Sequence, residues 1–91
     1  MESTSKEQKL DALYALLADT SDPADIADLL NDLCTTKELG NMAERLFAAK
    51  LLLDGNTYNQ VIAQTDISSA TLSRVSRSLQ QGNGYARLLK K

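Results

Sequence analysis

The sequence predicts an all-α fold of about six helices, and three observations lead to this prediction. Leucine and alanine dominate the apolar residues, whereas the chain has one proline and no run of alternating β-branched residues. Apolar residues recur at spacings of three and four, which is the period of a helix with one buried face. Ser, Thr and Asp residues at helix-start positions divide the chain into segments of helical length.

Three amphipathic helices are predicted in the first half of the chain. The first helix covers residues 6–18, and the second begins at Asp22-Pro23, because Asp caps a helix and Pro suits its first turn. Thr35 and Glu38 have the spacing of a capping box, which predicts the start of a long third helix. This helix ends near residue 54, where Gly55-Asn56 forms a typical helix stop.

The second helix carries Asp25, Asp28 and Asp32 on one face. Three carboxylates at this spacing could bind a metal ion, but no His or Cys joins them, so we favour a solvated acidic face and predict no metal site.

Composition limits the classes of protein to consider. Ninety-one residues are the length of one domain, here 1–91. The chain has no His, no glycine-rich phosphate loop, and a single Cys34 without a neighbouring base, so we predict no catalytic residues and no enzyme activity. Cys34 has no disulfide partner, and we find no signal peptide and no apolar run long enough for a bilayer, so we expect a cytoplasmic protein without a membrane partner.

The net charge of −2 conceals a division between the two halves. Residues 1–54 contain eleven carboxylates and five cations, a net charge of −6, whereas residues 55–91 contain one carboxylate and five cations, a net charge of +4. Only the second half can face a phosphate backbone at little electrostatic cost.

Residues 57–79 have the pattern of a helix-turn-helix. Thr57 and Gln60 form a capping box that starts the first helix of the motif. Ala63 is expected where the two helices cross, because a larger side chain would push them apart.

The turn and the second helix of the motif follow from the next residues. Asp66 is expected in the turn, since Asp adopts a positive φ more readily than most residues. Ile67 is predicted to lie between the two helices, and Ser68 to cap the second helix, which covers about residues 69–80. This second helix buries one face, composed of Leu72, Val75 and Leu79.

The remaining faces of this predicted recognition helix bear small residues and cations and no carboxylate. Arg side chains can donate to guanine, short hydroxyl side chains allow close approach to the backbone, and N–H groups at a helix N-terminus bind phosphate oxygens. We therefore predict that double-stranded DNA is contacted by Ser68, Ser69, Ala70, Thr71, Ser73, Arg74 and Arg77.

Two alternatives to DNA binding remain open at this point. The motif could be two ordinary amphipathic helices joined by a short turn. The chain could also be a helical protein–protein interaction module without DNA binding, since the acidic first half would suit a basic partner.

The helices of residues 1–54 have more apolar surface than one short chain can bury, which predicts that they are dimerisation helices. A two-fold dimer would also place two recognition helices one DNA turn apart. A short C-terminal helix, residues 84–91, follows the helix-turn-helix of residues 57–79.

The order of these elements resembles the trp repressor family, and more narrowly the YerC/YecD-type trp-repressor-like proteins of bacteria. The segments that carry the resemblance are LCTTKELGNMAER (33–45), LLLDG (51–55) and SATLSRVSRSL (69–79). The resemblance implies an intertwined all-helical homodimer that regulates transcription, as a repressor, by binding operator DNA.

The resemblance also implies a ligand pocket, with Arg45, Arg74 and Ser78 at positions that contact tryptophan in the trp repressor. Val75 stands where that protein has a glycine, and its side chain would occupy the space of the indole ring. We therefore predict no cofactor and disfavour L-tryptophan, and the possibility of another small-molecule corepressor stays open.

Arg74 has three candidate roles: a contact with a base or phosphate, a wall of the ligand pocket, or a surface ion pair with a carboxylate. Of these we favour the DNA contact.

Overall fold

The computed structural model describes residues 4–89, and within them it has six α-helices and no strand, which confirms the all-α prediction. The helices are α1 (Lys6–Asp19), α2 (Pro23–Leu33), α3 (Thr36–Leu53), α4 (Tyr58–Gln64), α5 (Ser69–Gln81) and α6 (Gly84–Leu89). Residues 90 and 91 of the predicted C-terminal helix lie outside the described residues.

The chain divides into two compact units, and the boundary falls between Thr35 and Thr36. The first unit contains α1 and α2, and the second contains α3 to α6. The helix α3, which we assigned to the dimerisation helices of residues 1–54, thus shares a unit with the helix-turn-helix. That assignment and the single domain over 1–91 stay predictions.

Capping side chains start both helices of the first unit. The Ser5 N–H donates to Gln8 Oε1 at 2.8 Å, and the Gln8 N–H donates to Ser5 Oγ at 3.1 Å, which is a capping box that we did not predict. The predicted Asp22 cap is confirmed, because Asp22 Oδ1 accepts from the Ala24 N–H at 3.3 Å. Neither α1 nor α2 contains a buried residue.

The helix α3 ends in a Schellman motif, as the Gly55-Asn56 pair predicts. Gly55 has a φ of +96°, its N–H donates to the Leu52 carbonyl, and the Asn56 N–H donates to the Leu51 carbonyl. The Asn56 side chain adds a second hydrogen bond to the same Leu51 carbonyl at 2.9 Å. These bonds turn the chain sharply from α3 into α4.

The core of the second unit is small and lies between α3, α4 and α5. Ala48, Val61 and Leu72, one residue from each helix, form a fully buried cluster. Three half-buried residues pack around it: Leu51, Leu52 and Ile67. The cluster therefore joins both helices of the predicted motif to α3.

None of the helices within residues 4–89 combines the length and the apolar character needed to cross a membrane.

The Gly55→Ala substitution tests the helix stop. At a φ of +96° an alanine is strained even though no atom lies within 4 Å of its Cβ position, so we expect the free energy of unfolding to fall by about 1 kcal/mol in urea denaturation. Gly84→Ala is the matched control, because Gly84 has the same open space and no positive φ. An equal loss in both variants would contradict the assignment of strain to Gly55.

Candidate nucleic-acid interface

The helix α4 begins as predicted and packs differently from the prediction. The Thr57 N–H donates to Gln60 Oε1 at 2.8 Å, and the Gln60 N–H donates to Thr57 Oγ1 at 3.2 Å, which confirms the capping box. Ala63, however, is exposed, so its predicted position at the helix crossing is wrong. The buried residue of α4 is Val61, whose β-branched side chain fills the space against Leu72.

The turn between α4 and α5 contains no left-handed residue. No residue other than glycine within residues 4–89 has a positive φ, so the predicted left-handed conformation of Asp66 is wrong. Two hydrogen bonds hold the turn instead. The Thr65 hydroxyl donates to the Val61 carbonyl at 2.8 Å, and the Asp66 N–H donates to Glu44 Oε2 on α3 at 2.9 Å.

Ser68 caps α5, as predicted. Its Oγ accepts from the Thr71 N–H at 3.1 Å and lies 3.1 Å from Thr71 Oγ1. Leu72 and Val75 are buried and Leu79 is half-buried, so the predicted inner face of the helix is confirmed. Half-buried Ile67 packs against the core cluster beside Leu72, as the sequence indicated.

The predicted DNA-contacting residues share one exposed surface on α5. Six of the seven are exposed, and they are Ser68, Ser69, Ala70, Ser73, Arg74 and Arg77. Thr71 is half-buried, and its N–H donates to Ser68 Oγ while its Oγ1 accepts from the Ser68 hydroxyl. This exposed surface of α5 has two cations and no carboxylate, so its electrostatic field attracts a polyanion.

The predicted ligand-pocket residues also lie together. Arg45, Arg74 and Ser78 line one cavity of about 180 Å³, which we name the arginine pocket. Its other lining residues are Thr71, Val75 and Tyr85. Arg45 and Ser78 are half-buried, whereas the buried Val75 side chain forms part of the wall where the prediction placed it.

Arg74 lies between two surfaces. It lines the arginine pocket, and with Arg77, Ser78 and Gln81 it also lines a more open cleft of about 190 Å³. Within residues 4–89 it forms no ion pair with a carboxylate, so the surface ion pair is not observed there. The DNA contact and the pocket wall both remain compatible with its position.

Two residues of this region were missed from the sequence. Tyr85 lines the arginine pocket from α6, and a lone aromatic after the Gly82-Asn83-Gly84 break was the only available signal. Glu44 binds the turn from α3, and its position one helical turn before Ala48 could have placed it on the same face. No group of His, Cys, Asp or Glu within residues 4–89, including the aspartates of α2, is arranged to hold a metal ion.

A sequence model of the family described as Trp repressor protein matches residues 8–91. The chain belongs to this family. Proteins of the Trp repressor family are regulatory DNA-binding proteins and not enzymes, which confirms the prediction that the chain has no enzyme activity.

Individual relatives agree with the family assignment. The chain is 38% identical over 76 residues to the protein YerC of Bacillus subtilis (strain 168), a match that covers 84% of this chain and 73% of YerC. This relative confirms the predicted resemblance to YerC-type Trp repressor proteins.

Two solved structures share the fold. A TrpR-like protein from Eubacterium eligens ATCC 27750 has a TM-score of 0.87 and 35% identity, and the match covers 93% of this chain and 89% of that one. A structure from Staphylococcus aureus has a TM-score of 0.83 and 33% identity, with 94% and 92% of the two chains covered. The six helices therefore form a Trp repressor-like fold.

Proposed function

We propose that the chain is a sequence-specific transcriptional regulator, acting as a repressor, that binds double-stranded DNA through α4 and α5 as a homodimer. The observation that carries the proposal is the surface of α5: its cations and hydroxyls are exposed together, while Leu72 and Val75 hold the opposite face in the core. The single cysteine without a disulfide partner supports a reducing compartment, and we place the protein in the cytoplasm.

The first turn of α5 supplies contacts for the DNA backbone. Ser68 uses its hydroxyl to cap Thr71, so the N–H groups of Ser69 and Ala70 have no acceptor within residues 4–89 and can donate to a phosphate oxygen. Small side chains here allow the helix to approach the groove closely. Arg74, one turn further along, reaches a base edge, and Arg77 on the following turn reaches a phosphate.

The homodimer is supported by apolar surface that the described chain leaves exposed. Met42, Leu46 and Leu53 share one face of α3, and each is between 38% and 45% exposed. Large apolar residues of α1 are exposed as well, including Leu10, Tyr14 and Leu16. Exposed apolar surface of this extent is typical of an obligate interface.

A dimer would also compensate for the small number of cations that one chain offers to DNA. A single recognition helix offers Arg74 and Arg77, and few counterions are released from DNA by two contacts. Two copies related by a two-fold axis double these contacts and match a palindromic site.

The Arg77→Ala substitution tests the backbone contact. We expect weaker binding to all duplexes and a salt dependence, measured as the slope of log K against log salt by fluorescence anisotropy, that is flatter by about one unit per chain. Arg87→Ala is the matched control and should leave the salt slope unchanged, because Arg87 is also exposed but lies on α6 and not on α5. An unchanged slope for Arg77→Ala would show that this residue does not contact a phosphate.

The rival function, a protein–protein interaction module, makes the opposite prediction for the wild-type protein. Such a module binds no duplex even at low salt, whereas a DNA regulator binds a selected duplex and loses it when Arg74 and Arg77 are both replaced by Gln. The duplex for this binding test is obtained by selection with the wild-type protein from a pool of random duplexes at low salt.

The mass in solution tests the homodimer. Sedimentation equilibrium should give about 20 kDa, twice the 9.9 kDa of one chain. Met42→Glu places a charge on the exposed apolar face of α3 and should shift the protein toward the monomer, because an unpaired buried charge is costly in an interface. Asn41→Glu, at the neighbouring exposed polar position, should leave the mass unchanged. A monomeric wild-type protein at micromolar concentration would refute the dimer.

We propose that the arginine pocket does not bind L-tryptophan. Val75 is buried and lines the pocket, so its methyl groups occupy space that a flat ring would need. The two guanidinium groups and the hydroxyls of Thr71 and Ser78 leave the pocket suited to another small molecule with anionic groups.

A thermal-shift measurement tests the exclusion of tryptophan. A ligand at one hundred times its Kd stabilises a protein by about 2.7 kcal/mol, so 1 mM L-tryptophan would raise Tm by several degrees for any Kd below about 10 μM. We expect no shift in Tm and no change in affinity for the selected duplex. A clear rise in either quantity would mean that Val75 does not block the pocket.

A further inference from the structure

The path of the α4–α5 turn depends on contacts outside the turn. Residues 65–68 contain no glycine, and the first of them, Thr65, is extended with a φ of −129° and a ψ of 170°. The extended region of φ/ψ space is broad, so it does not by itself define a sharp reversal of direction. Contacts with neighbouring elements, both the apolar packing of Ile67 and hydrogen bonds, must therefore fix the direction in which α5 leaves the turn.

Glu44 supplies such a hydrogen bond from α3. Its Oε2 accepts from the Asp66 N–H at 2.9 Å, across a sequence separation of 22 residues. A charged acceptor makes this bond stronger than a bond between neutral groups. Glu44 is half-buried, whereas Asp66 is exposed and the bond itself lies at the surface.

The position of Glu44 on α3 places this bond beside the apolar contacts that hold the helix-turn-helix. Glu44 lies one helical turn before Ala48, on the face of α3 that packs against the helix-turn-helix. The motif is thus attached to α3 by apolar contacts at Ala48, Leu51 and Leu52 and by a polar contact at Glu44. The apolar contacts hold the two helices of the motif against α3, whereas the Glu44 bond holds the backbone of the turn just before α5.

We propose that Glu44 is a positioning residue that sets the angle of α5 and thereby the sequence discrimination of the protein. The proposal rests on the DNA-binding function proposed above. Asp66 lies two residues before the Ser68 cap, so a shift of the Asp66 backbone moves the whole first turn of α5. Loss of the bond degrades the base contacts, which depend on geometry, more than the phosphate contacts, which depend on charge.

The charge of Glu44 and its hydrogen bond act in opposite directions on DNA. The charge repels phosphates and lowers affinity for every duplex, whereas the bond improves the ratio of affinities for a matched and an unmatched duplex. Substitutions at one position separate the two effects. Glu44→Gln keeps an acceptor and removes the charge, Glu44→Asp keeps the charge and withdraws the acceptor by one methylene, and Glu44→Ala removes both.

The experiment measures discrimination by anisotropy at fixed salt. The probes are the duplex selected with the wild-type protein and a scrambled duplex of the same length and composition. We expect Glu44→Asp and Glu44→Ala to lower the affinity ratio about tenfold, the size of effect expected for a hydrogen bond to a charged group. Glu44→Gln, which keeps a weaker neutral acceptor, should lower the ratio less than the other two variants do and should bind both duplexes more tightly. Asp66→Asn is the matched control, since it removes a charge from the same turn and leaves its backbone bond to Glu44 in place.

A second measurement needs no DNA. Hydrogen exchange of the Asp66 amide should be about tenfold faster in Glu44→Asp and Glu44→Ala than in the wild type, and accelerated less in Glu44→Gln, which keeps a neutral acceptor. If Glu44→Ala does not fold, Glu44→Asp still tests the role of the acceptor. An unchanged affinity ratio in Glu44→Asp overturns the positioning role, whatever the exchange rate. A wild-type protein that binds no duplex overturns the proposed function itself, and this result is distinct from a duplex bound with an unaltered ratio.

Discussion

The contact of Ala48 with Val61 and Leu72 is the interaction on which the second unit depends. Three helices meet at a side chain that is only a methyl group, so α3 can approach both α4 and α5 closely. Only five apolar side chains within residues 4–89 are buried. Burying one Val or Leu contributes about 1.5–3 kcal/mol, against a net stability of about 5–15 kcal/mol for a typical domain. The orientation of the recognition helix therefore rests on few contacts, and polar bonds around the core gain importance.

Two faces of the helix α3 differ in what they contact. One face, which includes Glu44 and Ala48, attaches the helix-turn-helix, while Met42, Leu46 and Leu53 present apolar surface elsewhere on the same helix. In the homodimer that we propose, this second face would meet the partner. A single helix would then connect the dimer interface with the DNA-binding surface, so the spacing between two recognition helices would depend on α3 and on the contacts that attach α4 and α5 to it.

The cations of α5 and of the arginine pocket lie close to each other on the second unit. The cations of α5 are exposed and α5 carries no carboxylate, and Arg74 borders both the open cleft that Arg77 lines and the arginine pocket. A molecule bound in that pocket would contact a residue that we assign to DNA. Val75 from α5 and Tyr85 from α6 line the pocket, so side chains of the protein itself take up space that a flat aromatic ligand would need.

The sequence by itself determined the helices, their caps and the exposed surface of α5, because these depend on neighbours three or four positions apart. Thr57 with Gln60, Ser68 with Thr71, and the Gly55 stop are all local patterns of this kind. The resemblance to a known family, and not a local pattern, placed Arg45, Arg74 and Ser78 together. Three features were decided only by the tertiary structure: Val61 instead of Ala63 beneath α5, the bond from Asp66 to Glu44, and Tyr85 in the pocket wall. Each depends on how two different helices pack against each other, and no spacing within a single helix encodes that packing.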